Sequence, residues 1–211
     1  RELTAPGQPH PLLDDLIVCI IPNYNADGND HFAPDNRPGQ HGPDTMGTRH
    51  NAQDLDLNRD YVKAEAPETR ALIRFLTAWD PAVTVDTHTT NGSLHRYTLT
   101  YQGPKHPSTD APLLEFVRDE MLPAIDRDFE RDTAYGAFFY GNFWDENRLW
   151  VTYPAEPSYG VVYRGMRNRV SILSEAYAYA SFRDRVLATE AFCRSVLEYT
   201  ARHRARIRRL E

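Results

Sequence analysis

The sequence contains little cysteine and no long apolar run. Two cysteines in 211 residues, Cys19 and Cys193, are too few for a disulfide-dense scaffold. Both lie among apolar neighbours, which favours two buried free thiols over a disulfide and leaves the redox compartment open. Because no apolar run is long enough to cross a bilayer, the sequence predicts no membrane span.

The chain also lacks an excess of positive charge, and it does not begin with methionine. Its formal net charge is −6, which removes the electrostatic reason to expect a nucleic acid as partner. The basic residues in 202–209 fit a solvated last helical turn better than a nucleic-acid patch, since cations are favourable at a helix C-terminus. The first residues show no signal peptide, and we expect the natural N-terminus to lie upstream.

Strands and helices are predicted to alternate along the chain. Short apolar runs at 16–21, 82–88 and 170–175 predict strands buried on both faces, and a further strand is expected at 96–101. Helical spacing of apolar residues predicts helices over 67–79 and 113–122 and from residue 182 to the C-terminus. Residues 135–152 are expected to form loop and short strand. The chain is therefore predicted to be a single α/β domain over 1–211, with a mixed, largely parallel sheet and helices on both faces.

Two predicted strands end in side chains that can do chemistry. His88 closes the second strand and is followed by small polar residues, which would leave its imidazole open to a cleft as a metal ligand. The alternative is a hydrogen-bonded core histidine. Glu175 closes the last strand, where a carboxylate costs several kcal/mol unless it is paired or near a metal. It is a candidate general base, with a capping or salt-bridge role as the alternative.

A third polar signal lies at residues 55–61, LDLNRDY. The guanidinium of Arg59 beside the amide of Asn58 suits a carboxylate ligand, through charge-assisted hydrogen bonds. The alternative is a surface salt bridge to one of the nearby acids.

Taken together, these segments resemble the zinc carboxypeptidases related to carboxypeptidase A. Residues 22–28, PNYNADG, are similar to that family's Pro-x-x-Asn-Pro-Asp-Gly segment. Residues 56–59, DLNR, are similar to its Asp-x-Asn-Arg motif. Residues 85–88, VDTH, resemble the strand with the last zinc-ligand histidine, and residues 174–175 end a strand where the family has its catalytic glutamate. The resemblance extends from about residue 16 to about residue 197.

The resemblance implies a role for each matching residue. His88 would be a zinc ligand, and Glu175 would be the general base and acid. Asn58 and Arg59 would hold the C-terminal carboxylate of the substrate. Asp56 would orient another zinc-ligand histidine.

Two further roles implied by the family have more than one candidate. Arg49 is the first candidate for the cation that polarises the scissile carbonyl, and Arg37 is its rival. The family also uses a flexible-loop tyrosine, for which Tyr153, Tyr159 and Tyr163 all qualify.

The sequence departs from the family at the metal site. The family's first histidine and its glutamate ligand come from a His-x-x-Glu motif, and no such motif occurs in this sequence. We therefore expect the chain to be the C-terminal portion of a catalytic domain whose N-terminal part is missing. The remaining zinc ligands would lie upstream of residue 1, and the chain alone would be inactive.

The expected activity is zinc-dependent hydrolysis of the C-terminal peptide bond of peptides or proteins. A related zinc amide hydrolase or deacylase is the first alternative, and a non-catalytic binding module with a degenerate metal site is the second. The expected partner is a peptide or small amide with a free carboxylate. The resemblance slightly favours a secreted or periplasmic protein.

Overall fold

The computed structural model describes residues 3–5, 7 and 10–211. The α-helices are α1 (Leu12–Asp15), α2 (Ala26–Asp30), α3 (Pro67–Trp79), α4 (Ala111–Glu115), α5 (Leu122–Asp132), α6 (Gly160–Gly165) and α7 (Phe182–Ile207). A 3₁₀ turn covers Leu57–Arg59, and a π-helical segment, Phe116–Met121, joins α4 to α5. The strands are β1 (Val83–Thr89), β2 (Leu99–Gln102), β3 (Ala137–Phe139), β4 (Asn142–Trp144), β5 (Leu149–Val151) and β6 (Val170–Ala176).

Four of the strands form one mixed sheet in the order β1-β6-β2-β3. The pairs β1–β6 and β2–β3 are parallel, and the pair β2–β6 is antiparallel. The predicted α/β class with a mixed, largely parallel sheet is therefore confirmed. Strands β4 and β5 form a separate antiparallel hairpin.

Helices cover both faces of this sheet because side chains alternate along β6. Val170 and Ile172 belong to the main core cluster, together with Phe192 of α7. Leu173 lies on the opposite face and packs with Val161 of α6. The second face is also the one toward which Glu175 points, since residues two apart in a strand share a face.

Local signals in the sequence explain where α3 begins and ends. Pro67 occupies its first turn, where a missing N–H costs nothing. The helix ends at Asp80, which adopts a left-handed conformation with φ of 40° and donates its N–H to the carbonyl of Leu76. The predicted bounds of this helix are confirmed.

The long C-terminal helix α7 is confirmed, but its apolar face is shorter than predicted. The hydroxyl of Ser181 accepts a hydrogen bond from the N–H of Asp184 at 3.1 Å and so caps the first turn. Phe192 and Val196 are fully buried, whereas Phe182 is 53% exposed and Val186 is 50% exposed. The first turn therefore extends beyond the surface that the sheet can cover.

The basic end of α7 is joined to three other elements by ion pairs. Arg202 contacts Asp128 of α5 at 2.5 Å, and Arg204 contacts Asp15 of α1 at 3.0 Å. Arg206 contacts Glu120 in the π-helical segment. These side chains are partly exposed, so each pair is worth only about 0.2–1 kcal/mol.

The prediction of a buried strand at residues 16–21 is wrong. This segment forms no strand, and Ile17 and Ile20 are 84% and 71% exposed. An apolar run becomes a strand only when a neighbour pairs with its backbone, and within the described residues none does. Cys19 is exposed for the same reason, so the prediction of two buried thiols is wrong for this residue. Cys193 is partly buried, and both cysteines are free.

One further strand boundary differs from the prediction, whereas the expected loop and short strand over 135–152 is confirmed. The strand expected at 96–101 begins only at Leu99. At its start, the N–H groups of Thr98 and Leu99 both donate to the carbonyl of Gly136. The region 135–152 contains three short strands. The β4–β5 hairpin is stabilised by an edge-to-face contact between Phe143 and Trp150, whose ring centroids are 4.9 Å apart.

Candidate active site

His88 and Glu175 are brought side by side by the sheet. They are directly paired across the parallel strands β1 and β6, one residue before each strand ends. Open α/β sheets place ligands at the carboxyl ends of their strands, and this pair occupies such a position. The structure therefore places together the two residues that the sequence predicted as metal ligand and general base.

Asp86 is a third member of this cluster, and the sequence reasoning gave it no role. Its Oδ1 lies 3.0 Å from Nε2 of His88, an ion-pair distance without the geometry of a hydrogen bond. The side chains of His88 and Asp86 are 24% and 38% exposed. Because residues two apart in a strand share a face, the spacing of Asp86 and His88 was the signal that could have identified it.

The charges in this cluster shift one another's pKa values. Burial lowers the pKa of His88, but the carboxylates of Asp86 and Glu175 outweigh burial and raise it to about 9. Burial raises the pKa of Asp86, but the facing His88 outweighs this and lowers it. Burial also raises the pKa of Glu175, to about 7, although His88 opposes the shift. Glu175 can therefore gain or lose a proton near neutral pH.

The loop that carries Arg49 approaches this cluster from the N-terminal segment. Nε of Arg49 donates to Oδ2 of Asp56 at 2.8 Å, and the charge of Arg49 lowers the pKa of Glu175. Arg37 instead donates to two backbone carbonyls, those of Gly47 at 3.2 Å and Thr48 at 3.0 Å. The geometry therefore favours Arg49 over Arg37 as the cation that serves the cluster.

Asp56 links Arg49 to the Asn58–Arg59 segment. One of its oxygens holds Arg49, and the other accepts from the N–H of Asn58 at 3.0 Å. Among residues 3–5, 7 and 10–211, no histidine bonds to Asp56, so its role in orienting a zinc-ligand histidine stays a prediction.

Asn58 and Arg59 are tied to the segment that precedes β6. Oδ1 of Asn58 accepts from the N–H of Gly160 at 3.0 Å, which leaves its amide nitrogen to donate. The guanidinium of Arg59 lies 4.1 Å from the centroid of the Tyr159 ring. These contacts hold the side chains of Asn58 and Arg59 in place on the loop side of the site.

The three candidate tyrosines have different surroundings. Tyr159 lies under Arg59, and Tyr163 packs against Tyr61 with centroids 5.6 Å apart. The hydroxyl of Tyr153 is buried and has no hydrogen-bond partner. Burial, and then the charge of Glu175, raises the pKa of Tyr153. Of the three tyrosines, Tyr153 therefore combines proximity to Glu175 with an unused hydroxyl.

The cluster fits one position of a metal site. Nε2 of His88 is buried without a hydrogen-bond partner and faces two carboxylates, an environment that favours a cation. In the part of the chain that the structure describes, no group of three or more His, Cys, Asp and Glu side chains is arranged to hold a metal ion. Catalytic zinc takes three protein ligands. His88 thus suits one of them, and the described residues do not supply the other two.

Comparison with solved structures shows that the chain has a metallo-carboxypeptidase-like fold. A metallo-carboxypeptidase from Pseudomonas aeruginosa, in complex with (2-guanidinoethylmercapto)succinic acid, matches with a TM-score of 0.56 and 16% identity, over 89% of this chain and 46% of its own. A metallo-carboxypeptidase from Burkholderia cenocepacia matches with a TM-score of 0.53 and 14% identity, over 73% of this chain and 40% of its own. The chain therefore spans less than half the length of these neighbours.

Comparisons of the sequence itself add no relative. No protein-family model matches the chain, and no curated protein matches it. Among the described helices, none is long and apolar enough to cross a membrane. A secreted or periplasmic location, and the assignment of the chain to one portion of a catalytic domain, stay predictions.

Proposed function

We propose that this chain carries the general base and the carboxylate-binding residues of a zinc-dependent carboxypeptidase. The observation that carries the proposal is the pairing of His88 with Glu175 at the ends of two adjacent strands. A histidine that faces two carboxylates, one of them with a raised pKa, is an arrangement that suits metal-assisted hydrolysis.

In this proposal, Glu175 moves the protons. Its raised pKa suits a group that accepts a proton from the attacking water and then donates it to the leaving amine. Arg49 would stabilise the negative charge that develops on the scissile carbonyl oxygen. Tyr153 would use its free hydroxyl to contact the substrate.

Asn58 and Arg59 would select the substrate. The amide of Asn58 and the guanidinium of Arg59 would donate to the terminal carboxylate and so place the last peptide bond beside Glu175. The same anchor would also serve a deacylase that acts on a small amide with a free carboxylate.

His88 would hold the zinc ion together with two ligands from outside the described residues. When bound, zinc would act as a Lewis acid and lower the pKa of water toward about 7.

The proposal is tested by Glu175→Gln in the full, zinc-loaded protein. Glutamine keeps the shape of the side chain but cannot accept a proton, so peptide turnover should fall by about 10²–10⁴-fold. Bound zinc and the thermal midpoint should remain unchanged. His88→Ala is the contrasting variant, because it should lose zinc as well as activity. If Glu175→Gln kept more than about a tenth of the turnover, Glu175 would be a structural residue.

A further inference from the structure

Lys105 contacts Tyr153 at two points. Lys105 lies in the loop that follows β2, and its Nζ donates to the backbone carbonyl of Tyr153. The same nitrogen lies 3.3 Å from the centroid of the Tyr153 ring and 3.4 Å from Oγ1 of Thr152. One ammonium group therefore holds both the backbone and the ring of Tyr153, through a charge-assisted hydrogen bond and a cation–π contact.

The surroundings of Lys105 show that these contacts are its main partners. Lys105 is half-buried, and within the described part of the chain it makes no ion pair with a carboxylate. Burial lowers its pKa to about 8, whereas the carbonyl and the ring face favour its charged form. A lysine on a surface loop ordinarily keeps its ammonium in water, so its position over Tyr153 is a specific arrangement.

The segment held by Lys105 has little other support. Residues 152–159 connect β5 to α6 without a strand partner. The Tyr153 ring packs edge-to-face against Tyr140 and Tyr159, with centroids 5.6 and 5.3 Å away. These two rings limit sideways movement of Tyr153, and Lys105 fixes its backbone.

We propose that Lys105 is a positioning residue that fixes Tyr153 so that its hydroxyl faces the site of His88 and Glu175. The contacts of Lys105 are independent of any activity, whereas its effect on turnover rests on the proposed function. Lys105 itself touches no reacting group.

The first test measures backbone hydrogen exchange in the 211-residue chain with Lys105→Met and Lys105→Arg. Methionine keeps the apolar stem but removes the charge, so the amide of Tyr159, which donates to the carbonyl of Glu156, should exchange about tenfold faster or more, as expected for loss of a charge-assisted hydrogen bond that holds the segment. Arginine can donate to the same carbonyl and stack on the same ring. A neighbouring cavity of about 150 Å³, lined in part by Lys105, gives it room.

In Lys105→Arg, the amide of Tyr159 should therefore exchange at the wild-type rate. The exchange rates of the β6 amides should be unchanged in both variants. Unchanged exchange of the Tyr159 amide in Lys105→Met would overturn the proposal. This measurement needs no substrate, so it remains decisive even if the protein cleaves no peptide and the proposed function fails.

The second test is a double-mutant cycle with Tyr153→Phe in the full, zinc-loaded protein. Lys105→Met should lower kcat by about 10- to 100-fold, the loss expected for a charge-assisted hydrogen bond, with little change in KM. Lys105→Arg should restore most of kcat. In the Tyr153→Phe background, Lys105→Met should lower kcat by less than about twofold. A change of this size is within the deviation from additivity that independent sites show. An equal loss in both backgrounds would contradict the proposal.

Discussion

The two sides of the candidate site are built in different ways. His88 and Glu175 lie on adjacent strands, and their backbones are held by the hydrogen bonds of the sheet. Arg49, Asn58 and Arg59 lie on an irregular segment whose only regular piece is a 3₁₀ turn at Leu57–Arg59. The proposed metal ligand and general base are thus on the strand side, and the proposed carboxylate contacts are on the loop side.

The loop side is held by polar side chains instead of a strand ladder. The buried carboxylate of Asp60 accepts from the N–H groups of Glu65 at 2.9 Å and Ala66 at 2.8 Å. Asn25 accepts from the N–H of Gly28 and donates to the carbonyl of Arg49, at 3.0 and 2.9 Å. Side chains that bond to the backbone can shape a loop around a ligand, but they bury little apolar surface.

The largest expected effect comes from the core beneath the strand side. Phe192 of α7 is fully buried against the sheet, so Phe192→Ala should lower the free energy of unfolding by about 3–5 kcal/mol. Ile20→Ala is the matched change in the N-terminal segment, and it should alter stability by less than about 0.5 kcal/mol because Ile20 is exposed. Urea unfolding of both variants checks the comparison, and equal losses would show that residues 16–21 are packed.

A smaller effect is expected on the loop side. Arg59→Ala in the full protein should weaken cleavage of a peptide with a free C-terminus by about 1.5–3 kcal/mol in kcat/KM, since it removes a charge-assisted contact. Cleavage of the C-terminal amide of the same peptide should change little. Arg74→Ala, an exposed change on α3, is the control. If Arg59→Ala lowered kcat/KM equally for the free peptide and its amide, Arg59 would not be the residue that binds the terminal carboxylate.

The smallest expected effect is a pH dependence of stability on the strand side. In the metal-free chain the pKa of His88 is raised from 6.5 to about 9, so its stabilising contribution is present below pH 6.5 and is lost as the pH rises toward 9. Glu175, with a pKa raised from 4.5 to about 7, acts in the same direction between these values. The free energy of unfolding should therefore be lower at pH 9.5 than at pH 6, by under about 2 kcal/mol because the side chains of His88 and Asp86 are partly exposed and their interaction is screened.

His88→Gln should flatten this dependence, and His203→Gln, on the exposed end of α7, should leave it intact. Denaturant midpoints at the two pH values provide the measurement. If the stability of His88→Gln depended more steeply on pH than that of the wild type, the predicted direction of the His88 contribution would be wrong.

The sequence predicted the central strands because apolar runs and helical spacing carry enough local information. It failed at residues 16–21, where the same kind of run pairs with no strand among the residues that the structure describes. It predicted loop and short strand over 135–152, but not the bounds or the partners of β3, β4 and β5, among which the β4–β5 hairpin includes a contact between Phe143 and Trp150. Pairing of this kind is decided by tertiary context and not by local propensity.

The candidate site was predictable where a residue ended a strand. His88 and Glu175 were found in this way, whereas the sequence left Tyr153, Tyr159 and Tyr163 equivalent. Lys105 could not be found, since its contact with Tyr153 joins residues 48 positions apart. Only the folded chain shows that proximity.

The exposed segment 16–21 has a consequence for the behaviour of the chain in concentrated solution. Its six residues, LIVCII, are rich in β-branched side chains and contain no charge and no proline. Ile17 and Ile20 are exposed, and β1 lies at one edge of the four-stranded sheet. An uncharged, β-prone segment of this length is the signature of cross-β stacking, in which identical strands of neighbouring molecules pair edge to edge. These six residues therefore make the chain prone to aggregation. The net charge of −6 opposes aggregation, because chains of like charge repel one another.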